Sequence, residues 1–201
     1  MDIKVKFNNR DALVRDILSI VGPEGRRDLH AVAAKAIQIV VQRHVRAYAR
    51  SHHATAKRLG ATHTGHLAKG ARAITWYANS VYGVVEVPIP GITRAFGDLV
   101  IRPRKADKLT IPADRLAYGR TAAELKAMGW KIARGRPGTK GEHILFGRHG
   151  KERRILYWLK DRVTVRQDRS LLPADKEISD AGDLAIAKEI MRVARKVCKM
   201  V

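Results

Sequence analysis

Apolar and polar positions change their spacing twice along this chain. Between residues 24 and 59, Leu29, Val32, Ala33, Ala36, Ile37, Val40, Val41 and Val45 recur at intervals of three and four, the period of one helical face. Arg26, Arg27, Lys35, Arg43, Arg46, Arg50, Lys57 and Arg58 take other positions. The pattern predicts one long helix over about 24–59, apolar on one side and cationic on the other. Gly60 closes it, and ATHTGHLAKG (61–70) reads as a loop. Ahead of the helix, IKVKF (3–7) alternates like a short strand, and Asp11 precedes a short helix that Gly22-Pro23 stops.

After residue 70 the period shortens. ARAITWYA (71–78) and VYGVVEVPIP (81–90) are rich in Val, Ile, Trp and Tyr and read as strands, with Asn79-Ser80 as the hairpin turn. DLVIRP (98–103) and KLTIP (108–112) are two more short strands joined by a basic turn, with Pro103 and Pro112 at strand ends because proline cannot donate to a ladder. Thr121 with Glu124 three residues on predicts a capped helix, AAELKAM (122–128), ended by Gly129. WKIAR (130–134) and HILFG (143–147) are strand partners across the turn GRPGTKG (135–141). RHGK (148–151) is a tight turn into RILYWLKDRVTVRQ (154–167), whose alternating second half is a strand. The period lengthens again at about 175–200, where Ile178, Leu184, Ile186, Ala187, Ile190, Met191, Ala194 and Val197 mark a final amphipathic helix.

Successive strands on short turns argue for antiparallel pairing. The expected fold is therefore a single α+β domain over 1–201. An antiparallel sheet of short strands, a meander over about 71–168 with a short helix at 121–128, packs against the long N-terminal helix and the C-terminal helix.

Charge changes the picture of what this domain meets. The 201 residues hold 40 Lys and Arg against 19 Asp and Glu, a formal net charge of +21. A surplus of this size attracts polyanions or acidic surfaces. Nucleic acid, an anionic membrane face or an acidic protein would each neutralise it, and a solvated surface is the bland alternative. No apolar run approaches the roughly 20 residues of a membrane span. The N-terminus carries acids early and lacks the apolar core of a signal peptide. Cys198 is the single cysteine, so neither an internal disulfide framework nor a cysteine zinc site is expected.

Candidate chemistry is sparse. His52, His53, His63 and His66 crowd together, but they lie far from acids, and His63 and His66 fall in a Gly/Thr loop, so surface histidines are a better reading than a metal site. GRPGTKGE (135–142) has the wrong order for a phosphate-binding loop and leads into a strand, not a helix. No nucleophile elbow or converging carboxylate pair is visible, so neither an enzyme nor a cofactor is expected. The basic stretch 131–154 stands out, with eight Lys or Arg against two Glu, a local charge of +6. Its residues Arg134, Arg136, Lys140, Arg148 and Lys151, with Arg102, Arg104 and Lys105 on the earlier basic turn, are the candidate contacts to a partner or to DNA. Trp130, Phe146, Tyr157 and Trp158 nearby either stack on bases or fill the sheet core, and the alternation of strand side chains favours the core.

Two longer stretches resemble a known family. KADKLTIPADRLAYGRTAAELKAMGW (105–130) is similar to the central signature of phage virion-morphogenesis proteins, the tail-completion, neck or minor tail proteins of tailed phages. ILYWLKDRVTVRQDRSLLPADKEI (155–178) resembles the same group's closing strand and the start of its C-terminal helix, and THTGHL (62–67) resembles its Thr-Gly-x-Leu element. The resemblance spans roughly 60–180 and carries no catalytic residue. It implies a structural virion protein that forms a ring, usually hexameric, and joins the tail tube or terminator to the head connector. Its place would be the virion neck, reached through the host cytoplasm during assembly. A basic surface there would face either genomic DNA or acidic connector surfaces. A free nucleic-acid-binding module, ribosome- or DNA-associated, is the alternative that charge alone supports.

Overall fold

The computed structural model describes residues 22–198 except His53, His63, Lys105, Pro137 and Lys140. The short strand and helix expected before residue 22 lie outside the described residues. The chain is α+β, with every strand pair antiparallel. Read from sequence as one domain, it divides into two compact units. One takes in residues to Arg50, His66–Phe96 and the chain from Asp168 onward; the other takes in Ser51–Gly65 and Gly97–Gln167.

The first unit is built on helix α1, Pro23–Ser51. Leu29, Ala33, Ala34, Ile37, Val41, Val45, Tyr48 and Ala49 are its buried residues, while Val40, on the expected stripe, is only half-buried. The helix is shorter than the sequence suggested. It ends at Ser51, and a separate helix α2, Ala54–Leu59, belongs to the other unit. Ser51 and His52 mark the break, because Ser and His are weak helix formers and the serine hydroxyl competes for backbone partners. Part of the expected loop 61–70 is also helical: α3, His66–Arg72, buries Leu67 and Ala71. The hairpin of β1, Thr75–Ala78, and β2, Gly83–Glu86, turns on Asn79, whose Oδ1 accepts from the amides of Val81 and Tyr82 at 2.8 and 2.9 Å. Gly83 is needed here, since a Cβ would lie 2.9 Å from the His30 carbonyl oxygen and 3.1 Å from Ala34 of α1. Gln38 and Gln42 donate to the Ile74 carbonyl at 2.6 and 3.2 Å. The core joins Ile37, Val41 and Val45 to Ile74, Val85, Ile89, Leu171 and Leu172.

The last helix, α5, Asp175–Cys198, starts where expected. Its burial does not match the expected apolar face. Ile178 packs on the core, Ile186 and Ile190 are half-buried, and Leu184, Ala187, Met191 and Ala194 are exposed.

The second unit holds most of the strands. β3, Leu99–Ile101, does not pair with its neighbour in sequence, β4, Leu109–Pro112, as a meander would have it. It pairs with β8, Val163–Val165, while β4 joins a four-stranded sheet with β5, Lys131–Arg134, β6, Ile144–His149, and β7, Glu152–Lys160, in the order β4-β7-β6-β5. Among the described residues the single expected sheet is thus three: two pairs and one sheet of four. Helix α4, Ala122–Ala127, carries the capping box read from the sequence: Thr121 Oγ1 accepts from the Glu124 amide at 3.2 Å, and Glu124 Oε2 accepts from the Thr121 amide at 2.6 Å.

One irregularity decides which side chains this sheet buries. Leu145 faces Tyr157 and Phe146 faces Ile155, so Leu156 is an extra residue on β7. A bulge shifts the alternation by one place. Leu156 and Tyr157 are consecutive, and both are buried. They form a small core with Ala117, Leu125 and Trp130. Gly147 backs this core; a Cβ there would lie 2.4 Å from Leu156 and 2.9 Å from Trp130.

Candidate functional site

Residues opposed across an antiparallel sheet share a face. The registers therefore list the side of the four-stranded sheet away from the Leu156 core. One row is Lys131, Arg148 and Arg153. The next is Ala133, Phe146 and Ile155, and the one after it is Ile144, Trp158 and Ile111. Lys160 and Leu109 follow. This outer face has a stripe of apolar side chains with cations at both ends and no carboxylate in any row. Ile155 is 45% exposed and Trp158 43%, while Phe146, Ile144 and Ile111 are half-buried.

Asp114 and Glu152 serve the inner side of this sheet. Arg154 binds Asp114 at 3.2 Å and is also paired with Glu152. Together they hold the Arg154 guanidinium above its usual pKa, the Glu152 bond counting most. Arg153, by contrast, lies over the Phe146 ring at 4.5 Å, a cation–π contact. Lys108 pairs with Asp161 and holds its carboxyl below the usual range.

The hairpin tip between β5 and β6 stands at the far end of the stripe. Thr139 Oγ1 donates to the Arg136 carbonyl at 2.7 Å, and the Glu142 side chain accepts from the Gly138 amide at 2.8 Å, so the turn is held by its own polar groups. A groove of about 820 Å³ runs from this tip onto the sheet, with Arg134, Arg136 and Arg153 among its walls and Ile144, Phe146 and Ile155 in its lining.

The candidate contacts read from the sequence are distributed as follows. Arg134 and Arg136 come together at the tip, and Arg134 Nε donates to the Glu142 carbonyl at 3.3 Å. Arg148 belongs to the cation row at the opposite end, and exposed Lys151 sits in the adjoining turn. Arg102 and Arg104 are exposed on the loop leading into β4, which enters the sheet at the tip end but on the other edge. Lys105 and Lys140 lie outside the described residues. The structure adds Arg153, Ile155, Phe146 and Trp158. The four aromatics divide: Trp130 and Tyr157 are core, whereas Phe146 and Trp158 are on the outer face. Alternation separates Tyr157 from Trp158; the bulge at Leu156 is what puts Ile155 and Arg153 on the Trp158 side.

A second polar cluster lies in the first unit. Tyr48 OH donates to Asp168 and accepts from Arg94 at 2.6 Å, and Arg94 lies 3.6 Å from Asp168. Burial, reinforced by the Asp168 bond, pushes the Tyr48 phenol up to about 12. The Ser170 and Tyr48 bonds hold the Asp168 carboxyl below its usual range. A phenol that stays protonated to that pH supplies no base at pH 7. The cluster ties the C-terminal turn of α1 to the segments at Arg94 and Asp168, a structural role. Among the described residues no three His, Cys, Asp or Glu side chains gather as a metal site, and no helix is long and apolar enough to cross a membrane. His53 and His63 of the histidine group lie outside the described residues.

No family model, curated protein or solved structure matches the chain.

Proposed function

We propose that the protein is a structural subunit of a tailed phage or phage-like particle, a tail-completion or neck component that forms a ring and joins the tail to the head connector. The observation that carries this reading is the outer face of the four-stranded sheet, an uncovered apolar stripe with cations at both ends in a chain of net charge +21. Contiguous apolar surface with a polar rim is the mark of a docking face. The resemblance to virion-morphogenesis proteins is what directs this reading to a phage particle. Its two longer stretches are neighbours in space: β4 from one pairs with β7 from the other, from Leu109 opposite Lys160 to Pro112 opposite Tyr157. Tyr157 OH also donates to the Arg120 carbonyl at 2.9 Å. The residues of the resemblance therefore build one piece of framework.

The test is genetic and physical. Deleting the gene from a particle-producing strain is expected to leave separate tails and filled heads, rescued by the intact gene. Native mass spectrometry of the purified chain is expected to give a closed ring, alone or with tube or connector proteins. A monomer with steeply salt-dependent affinity for nucleic acid would replace this reading with the nucleic-acid-binding one.

A further inference from the structure

We infer that the outer face of the four-stranded sheet seats an acidic protein segment with an apolar ridge. Its carboxylates would meet the Lys131, Arg148 and Arg153 row, and its apolar side chains would meet Phe146, Ile155 and Trp158. Taking that segment to belong to another particle component rests on the assembly reading above; the chemistry of the face does not.

Three observations lead to this occupant. First, like charges directly opposed across strands are destabilising, and here three cations stand side by side on β5, β6 and β7. The nearby carboxylates of Asp114 and Glu152 are bound to Arg154 on the inner side. Among the described residues no carboxylate pairs with the row. Second, the charge argues against a second copy. A two-fold contact through this face would lay cations on cations, since no row of it carries a carboxylate. Third, the stripe favours protein over single-stranded nucleic acid. Base stacking needs free aromatic faces. Arg153 covers one face of Phe146, and Ile144, Ile155 and Ile111 offer no π surface. Arg and Trp at the rim and centre of an apolar patch are, however, the residue types that dominate protein–protein contacts.

The dimensions set the partner's form. Arg148 and Ile144 are four residues apart on β6, roughly 13 Å. A helix covers that length in about nine residues. An amphipathic helix with acids near both ends of its apolar ridge fits the stripe and both cationic ends.

The experiment uses the full chain and a synthetic amphipathic peptide with glutamates at both ends and leucines at i, i+3, i+4 and i+7. Fluorescence anisotropy of the labelled peptide reads binding, with circular dichroism and melting to confirm that each variant is folded. Micromolar binding that weakens with salt is expected. About tenfold or greater loss is expected in Arg148→Gln/Arg153→Gln, in Ile155→Ser/Trp158→Ser, and for wild type when the peptide's glutamates become glutamines. No binding below about 1 mM, or equal binding by folded variants, overturns the inference. So does quenching of tryptophan fluorescence by a 20-nucleotide oligo(dT) that Trp158→Ser abolishes, which would make the face a nucleic-acid platform. A wild-type dimer that those same variants dissociate would make it a self-contact and would equally overturn it. Head–tail joining stays a separate readout: a chain that binds the peptide but whose deletion leaves complete particles keeps the surface and loses the assembly role.

Discussion

In the first unit, α1 and the β1–β2 hairpin close over one core that runs from Ile37 to Leu172. In the second, among the described residues, the four-stranded sheet has a core on one side, centred on Leu156 and Tyr157, while its other side shows Ile155 and Trp158 to solvent. An antiparallel sheet can leave one face wet, but that face is then normally polar. Here it is apolar in the middle and cationic at the ends. The difference separates two uses of apolar residues: those of the first unit hold the chain together, and the outer stripe of the second is surface available to something else.

The largest effect tests that separation directly. Val45 is fully buried in the first core, and Ile155 is nearly half exposed. Val45→Asp should remove several kcal/mol, about 3 or more, because it buries an unpaired charge. Ile155→Asp should cost no more than about 1 kcal/mol, the span of strand propensities. Urea denaturation compares them. Equal losses would mean that Ile155 is as structural as Val45, and the outer stripe would no longer stand apart.

Next in size is Gly147→Ala, which sharpens the contrast between the sheet's two sides. The new methyl would press on Leu156 and Trp130, and overpacking of a small core costs about 1–3 kcal/mol. Tyr48→Phe probes the first unit's polar tie and should cost about 1–2 kcal/mol at pH 7, because the lost bonds run to charged groups. Its pH dependence has a definite sign. The Tyr48 pKa is raised to about 12 in the fold, so its contribution is full below the unfolded value near 10 and is lost as pH rises toward 12. Asp168 is shifted the other way, so its contribution is present above the unfolded carboxyl pKa of about 3.9 and fades as pH falls below it. Melting wild type and Tyr48→Phe from pH 8 to 12 should bring the two together at the alkaline end.

Local chemistry was readable in the sequence and long-range pairing was not. The Thr121–Glu124 box, the Asn79 turn, the tip at 135–141 and the start of α5 all follow from a few adjacent residues. The break after Ser51 was missed because the apolar period alone does not register weak helix formers. The pairing of β3 with β8 joins residues more than sixty positions apart, and the first unit is assembled from three separate stretches, so no composition shift marks either. Of the residues on the candidate surface, Arg134, Arg136 and Arg148 are the ones that charge density in the sequence singles out. That Arg153 and Ile155 share a face with Trp158 was not legible, because it depends on the bulge at Leu156, which only the register with β6 reveals.

The smallest predicted effect is the most specific to the outer face, because its sign differs between two exposed arginines. Arg148 stands between Lys131 and Arg153 with no carboxylate opposite among the described residues; its Nε donates to the Gly150 carbonyl at 3.2 Å. Removing the middle cation relieves repulsion on both sides. Arg148→Ser should therefore stabilise the chain at low salt by roughly 0.2–1 kcal/mol. Arg134 is exposed at the tip, faces Leu145, and bonds the Glu142 carbonyl. Arg134→Ser should be neutral or slightly destabilising, within about 0.5 kcal/mol. Added salt separates the causes. At about 1 M ionic strength the Debye length falls to roughly 3 Å, so the gain from Arg148→Ser should shrink toward zero while the Arg134→Ser value barely moves. Paired urea melts at low and high salt measure both. A loss of stability in Arg148→Ser at low salt would mean that the cation row is already compensated within the chain, and the case for an acidic partner on this face would fall with it.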